Sequence, residues 1–246
     1  MQPNIKLEIE TNYNAMSKKG AQIFAQKLKE NPKGTFGFAT GSTPIGVYEE
    51  LVRMHKKEGL DFSGITTFNL DEYYPIKRES EHSYNYFMQK QLFGQVNIDQ
   101  SRIFLPNGEA QDPEAEAQEY EKKIHKSGGF VVQILGIGLN GHIGFNEPSE
   151  SFAAETRQVP LAEITINANA KHFPNPDEMP RHAITMGIRS IMMAKHIMLL
   201  ANGEAKAAIL RDSLLGPITP LVPASVLQLH PSVVVVSDKE AASLLV

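Results

Sequence analysis

Short apolar runs alternate with amphipathic stretches along the whole chain, and that alternation leaves few folds open. Residues 131–135 read Val-Val-Gln-Ile-Leu, 196–200 His-Ile-Met-Leu-Leu, and 232–236 Ser-Val-Val-Val-Val. Runs this continuously apolar do not suit a sheet with one face in water; they belong to strands covered on both faces, the mark of a mainly parallel sheet between helices. Further strands are predicted at 5–9, 35–39, 65–70, 102–105 and 183–186. Helices are predicted at 13–28, from Pro44 at the first helical position to a stop at Gly59, and at 84–92, 112–125 and 203–214. No linker, repeat or low-complexity stretch divides the chain, so residues 1–246 are expected to form a single α/β domain. Pro174, Pro176 and Pro180 mark an expected surface loop.

Composition narrows the function. A chain of 246 residues can bury roughly 70–75% of its unfolded surface. A net charge of -4 offers no basic footprint for nucleic acid. The absence of cysteine excludes a disulfide scaffold, thiolate catalysis and a Cys-based zinc site. There is no apolar signal core at the N-terminus and no run near the roughly 20 apolar residues of a membrane span, so a soluble, cytoplasmic protein is expected.

In open α/β sheets ligands bind beyond the carboxyl ends of the strands, and three unusual segments fall at such ends. The first is Thr40-Gly41-Ser42-Thr43-Pro44, a tight turn with hydroxyl donors and a helix start. It suits a phosphate, although read alone it fits an ordinary N-cap better. The second, Asn69-Leu70-Asp71-Glu72-Tyr73-Tyr74-Pro75, presents two adjacent carboxylates, either a general base or an exposed acidic turn.

The third segment runs from Gly136 to Pro148 and holds four glycines, Asn140, His142, Asn146 and Glu147 behind the most apolar strand. Glycines at that density imply close backbone approach to a ligand, and a His near a carboxylate is a common acid–base device near neutral pH. His55, His82, His125 and His196 lack such a setting and are read as structural. His142 and Glu147 do not have the HExxH spacing of a helical metal site, and no G-x-S-x-G elbow is present. Acid–base chemistry on an anionic small molecule, with no metal and no cofactor, is the expectation.

Four segments together resemble the glucosamine-6-phosphate deaminase family: ATGSTP at 39–44, NLDEYY at 69–74, GLNGHIGFNEP at 138–148 and TMGI at 185–188. The resemblance runs over nearly the whole chain, and the His–Glu segment is its most specific part. It implies a Rossmann-like three-layer α/β/α fold and conversion of glucosamine 6-phosphate to fructose 6-phosphate and ammonia in amino-sugar catabolism. The family's proton-transfer base falls on Asp71, its ring-opening His on His142, and the paired carboxylate on Glu147. Its phosphate turn falls on Gly41, Ser42 and Thr43, its helix Lys on Lys206, and a further basic position on Lys171.

Three departures accompany the match. Asn140 stands where many members carry Asp; it can hydrogen-bond the imidazole but cannot stabilise imidazolium by charge. Lys171 replaces a frequent Arg, keeping the charge but losing the bidentate geometry. Hexameric, allosteric members have a longer tail and a basic residue where Val159 stands here, which points away from activator control. The expected partner is a sugar phosphate, with no nucleic acid or membrane, and the expected state is a monomer or small homo-oligomer. Two alternatives stay open: a 6-phosphogluconolactonase-like hydrolase, and a sugar-phosphate-sensing effector domain.

Overall fold

The computed structural model describes every residue except Met1, Pro3, Lys171, His172, Pro174, Pro176, Asp177 and Val246. In chain order its strands are β1 (Ile5–Glu10), β2 (Thr35–Phe38), β3 (Thr66–Asn69), β4 (Asp71–Tyr74), β5 (Ile103–Phe104), β6 (Val132–Leu135), β7 (Arg157–Pro160), β8 (His182–Thr185), β9 (His196–Ala201) and β10 (Val233–Asp238). Its helices are α1 (Tyr13–Glu30), α2 (Ile45–Glu58), α3 (Tyr84–Gln91), α4 (Pro113–Lys126), α5 (Glu163–Asn169), α6 (Ile188–Met192) and α7 (Ala207–Leu215).

Seven strands form one sheet ordered β1-β10-β9-β6-β2-β3-β5, and each neighbouring pair is parallel. Side-chain alternation explains how both faces are covered. Phe36 and Phe38 of β2 point one way, where Phe24 of α1 lies 5.1 and 5.3 Å from their rings and Tyr48 of α2 packs on Phe38. Phe68 of β3, opposite Gly37, points the other way and meets Tyr120 of α4 at 5.6 Å. The result is the expected three-layer α/β/α arrangement.

Residues 183–186 do not join this sheet. β8 lies between β4 and β7 in a second, three-stranded antiparallel sheet with its own apolar cluster around Tyr73, Phe145, Leu161 and Ile166. Sequence reasoning missed β7 and α5, and did not predict a strand at Asp71–Tyr74, which is β4. Pro44 is the residue before the first turn of α2, with helical φ and ψ of -78° and -7°, and Ile45 begins the helix. The expected proline loop is only partly on the surface: Pro180 and Met179 are buried, while Pro174 and Pro176 lie outside the described residues. Among the described residues no helix is long and apolar enough to cross a membrane.

Candidate active site

Strand order decides where a cleft can form. β2 and β6 are neighbours, yet the chain proceeds from β2 toward β3 and β5, and from β6 its next strands in this sheet are β9 and β10. Loops leaving the two strands diverge, so a crevice opens above their carboxyl ends. There a cleft of about 750 Å³ is lined by Gly41, Ser42, Thr43, Asp71, Asn140, His142 and Lys206. All three segments predicted to converge do so. Glu147 stands behind His142 rather than on the cleft wall, and Lys171 lies outside the described residues.

Asp71 and Glu72 are adjacent in β4, so their side chains leave the strand on opposite faces. Both are buried, at 5% and 2% exposure, which removes the exposed acidic turn as a reading. Asp71 reaches the cleft. Burial first, and the Glu72 charge second, push its pKa up to about 8. Glu72 turns instead to the start of α3, where its carboxylate accepts the N–H groups of Tyr84 (2.8 Å) and Asn85 (2.9 Å) as well as that of Tyr73 (3.0 Å). A carboxylate at a helix N-terminus satisfies donors that have no partner within the helix. Burial pushes its pKa up to about 7 against the pull of those three donors. One acid of the pair thus faces the cleft, and the other holds α3.

The Gly-rich loop places His142 on the same cleft as Asp71. Gly138 packs against the imidazole so closely that a Cβ there would fall 2.4 Å from the ring. Gly144 has a φ of +58°, and a Cβ on it would lie 3.0 Å from Thr185 Oγ1 and 3.4 Å from Asp71 Oδ2. His142 Nδ1 is 3.2 Å from Glu147 Oε2, an arrangement in which Nδ1–H donates to the carboxylate and Nε2 is left for a ligand. Asn140 bonds the carboxylate and the backbone instead of the imidazole. Its Nδ2 donates to Glu147 Oε2 at 2.5 Å and its Oδ1 accepts the His142 backbone N–H at 3.3 Å. The amide therefore braces the loop and the carboxylate together. The other oxygen, Glu147 Oε1, accepts from Thr165 Oγ1 of α5. Burial acts to raise the Glu147 pKa, but His142, Thr165 and Asn140 outweigh it and hold the group below the usual carboxylate range.

Lys206 brings a positive charge to the cleft lining. Lys206 ends a short 3-10 turn at the start of α7, and its Nζ donates to the Ile137 carbonyl at 2.6 Å. It is half-buried, burial lowers its pKa, and among the described residues no carboxylate lies within ion-pair distance. Gly41 and Ser42 are exposed at the cleft, with Gly41 at a φ of +105°. Thr43 is less free than expected, since its hydroxyl donates to Asn202 Oδ1 at 2.8 Å. α2 has no side-chain cap, but the Gly46 N–H is occupied by the Tyr13 hydroxyl at 2.8 Å.

Sequence reasoning missed an aromatic wall. Tyr73, Tyr84, Phe145 and Phe173 line the cleft, with Tyr73 and Tyr84 rings 4.6 Å apart. His82, read as structural, also lines it and stacks on Phe173 at 4.6 Å. No local pattern marks these residues, because β4, α3, the Gly-rich loop and the segment after α5 assemble them. His55, His125 and His196 lie outside the cleft lining; His55 Nδ1 sits 2.7 Å from the Leu60 carbonyl and His196 Nδ1 2.8 Å from the Ser232 hydroxyl.

Residues 10–236 match the sequence profile of the family described as glucosamine-6-phosphate isomerases/6-phosphogluconolactonase. The chain belongs to that family. Glucosamine-6-phosphate deaminases of Thermoanaerobacter pseudethanolicus and Halothermothrix orenii are each 50% identical to it over 241 residues, covering 98% of this chain and 95% and 100% of theirs. The solved structure of a monomeric glucosamine-6-phosphate deaminase superposes with a TM-score of 0.95 at 45% identity, over 97% of this chain and 99% of that one. A 6-phosphogluconolactonase from Trypanosoma brucei superposes with a TM-score of 0.73 at 18% identity, over 98% of both chains, and shares the fold. Within this family the cleft above β2, β3 and β6 is the candidate active site.

Proposed function

We propose that this chain is a glucosamine-6-phosphate deaminase, an acid–base isomerase that converts glucosamine 6-phosphate and water to fructose 6-phosphate and ammonia. The observation that carries the reading is the meeting of a buried Asp71 carboxyl and a His142–Glu147 pair in one cleft with Lys206. Half-identical relatives bearing that name support it.

In this reading Lys206, with Gly41, Ser42 and Thr43, receives the phosphate; a dianion would give Lys206 the counter-charge it otherwise lacks. Lys171 is proposed as a further phosphate ligand. His142, through Nε2, exchanges a proton with the ring oxygen and opens the pyranose, while Glu147 favours the charged imidazolium and Asn140 steadies Glu147. Asp71 then removes the C2 proton to give an enolamine and returns a proton to C1. Water adds to the resulting C2 imine, and ammonia leaves.

Proton transfer of this kind needs no cofactor. A monomer is proposed on the precedent of the monomeric relative, to be checked by sedimentation. A cytoplasmic site is proposed because a phosphorylated sugar does not cross membranes unaided. The direct test is incubation with glucosamine 6-phosphate, following fructose 6-phosphate and ammonia through coupled enzymes, beside 6-phosphogluconolactone. Lactone hydrolysis without ammonia release would replace this reading by the lactonase one. Binding of the sugar phosphate without turnover of either compound would favour the effector-domain reading.

A further inference from the structure

Among the described residues, α5 is the helix that donates a hydrogen bond to the acid–base pair from outside the segments that carry the sequence resemblance. Its Thr165 is buried, with 4% exposure, and lies at the third position of the helix, its backbone N–H already bonded to the Ala162 carbonyl at 2.9 Å. The hydroxyl is left to point at Glu147, where it donates to Oε1. The opposite oxygen, Oε2, is shared by His142 Nδ1 and Asn140 Nδ2. The two oxygens of one carboxylate therefore divide between the loop that carries the acid–base histidine and a helix 18 residues further along the chain.

We infer that Thr165 is a positioning residue for ring opening, acting through Glu147: its hydroxyl fixes the rotation of the carboxylate and keeps it ionised against His142. The inference rests on the His142–Glu147 pair performing that step. Geometry supports it because a carboxylate held at only one oxygen is free to turn about its terminal torsion, whereas a donor at each oxygen leaves one orientation. Ionisation follows from the same contact, since a hydrogen bond to the charged form favours that form. Among the described residues, the other charged or titratable groups on the surrounding elements include Asp71 of β4 beyond Gly144, Arg157 of β7 on Asn146 Oδ1 at 3.0 Å, Lys206 beside the Ile137 carbonyl, Glu81 and His82 on the cleft lining, and exposed Glu163 on α5 itself. None of these changes when the Thr165 hydroxyl is removed.

The test is a pH–rate series on wild type, Thr165→Val, Thr165→Ser, Glu147→Gln and the Thr165→Val/Glu147→Gln double variant, with cyclic glucosamine 6-phosphate as substrate. Valine keeps the volume and loses the donor. The acid limb set by Asp71 should stay in place, while a second, lower acid limb of kcat, set by protonation of Glu147, should move up by roughly one pH unit in Thr165→Val, with kcat below that limb about 10-fold down and KM little changed. Thr165→Ser should return the limb toward its wild-type position, and the valine change should add no further shift when Glu147 is already Gln. An unmoved lower limb in Thr165→Val, beside its loss in Glu147→Gln, would overturn the role of Thr165 alone. An unmoved profile in Glu147→Gln would overturn the pair and this inference together. A uniform loss of activity at all pH values, tracking a lower Tm, would show Thr165 to be packing only.

Discussion

Thr185 stands directly across from Asp71 in the β4–β8 ladder, and its hydroxyl accepts the Phe145 N–H at 3.0 Å. One side chain thus ties the strand of the proposed base to the loop of the proposed acid. Thr185→Val should strand the buried Phe145 N–H and cost about 1–3 kcal/mol of stability, read as a lower denaturant midpoint with an unchanged m-value. It should also lower kcat more than it raises KM, because it moves catalytic groups relative to each other. A variant with wild-type kcat would show that the loop holds its place without this contact.

Asp71→Asn should reduce isomerisation by about 10²–10⁴, as loss of a positioned base does, while inorganic phosphate still binds. It should also stabilise the fold at alkaline pH. Asp71 titrates at about 8 in the folded chain, against roughly 3.9 in an unfolded one. Between those values the folded state holds a proton that the unfolded state has lost, so this group's contribution to stability falls as pH rises through the window. Above pH 8 the asparagine variant should therefore melt higher than wild type, by on the order of 2–4 °C for each kcal/mol relieved. At pH 4 the difference should vanish. Melting curves at the two pH values decide the matter.

The same acid, as the proposed base, should set a limb in the pH dependence of kcat/KM, which reports the free enzyme. Activity should rise as pH passes the Asp71 value of about 8. Glu72→Gln removes a negative charge next to Asp71 and should move that limb down, at a cost of about 0.5–2 kcal/mol from the weakened start of α3. If the limb stays in place while Tm falls, Glu72 serves the helix only.

Lys206→Ala should act mainly on KM. A cation facing the phosphate interacts with it throughout the reaction, and uniform binding of that kind leaves kcat nearly unchanged. An unchanged KM for glucosamine 6-phosphate would exclude Lys206 from phosphate recognition.

Glu147→Gln should slow turnover of the cyclic sugar by about 10²-fold, since a neutral amide cannot favour a charged imidazolium. A substrate locked in open-chain form should recover part of the lost rate, because it enters after ring opening. Equal losses on both substrates would place Glu147 in a later step.

The parallel sheet was legible because its central strands are buried on both faces and so read as unbroken apolar runs, as in 131–135 and 232–236. The small sheet was not. Asp71-Glu72 opens β4 with two acids, and burial of paired acids is a tertiary fact that no local propensity carries. β7 and α5 are short, at 4 and 7 residues, with too few turns of either period to stand out. Loop residues of the site were legible through glycine: Gly138 leaves room for the His142 ring and Gly144 for Asp71. Thr165 was invisible, since its partner is 18 residues away and only the fold joins them.

Because β4 presents Asp71 to the cleft and Glu72 to α3, the two acids differ in role only by the phase of the strand. A slip of a single residue in the β4–β8 pairing would exchange them, driving the helix-holding carboxylate into the cleft and the proposed base under α3. Substitutions along residues 71–74 can therefore be graded in effect, whereas a one-residue deletion or insertion in that stretch inverts the whole arrangement. In this strand, length is as constrained as the identity of Asp71.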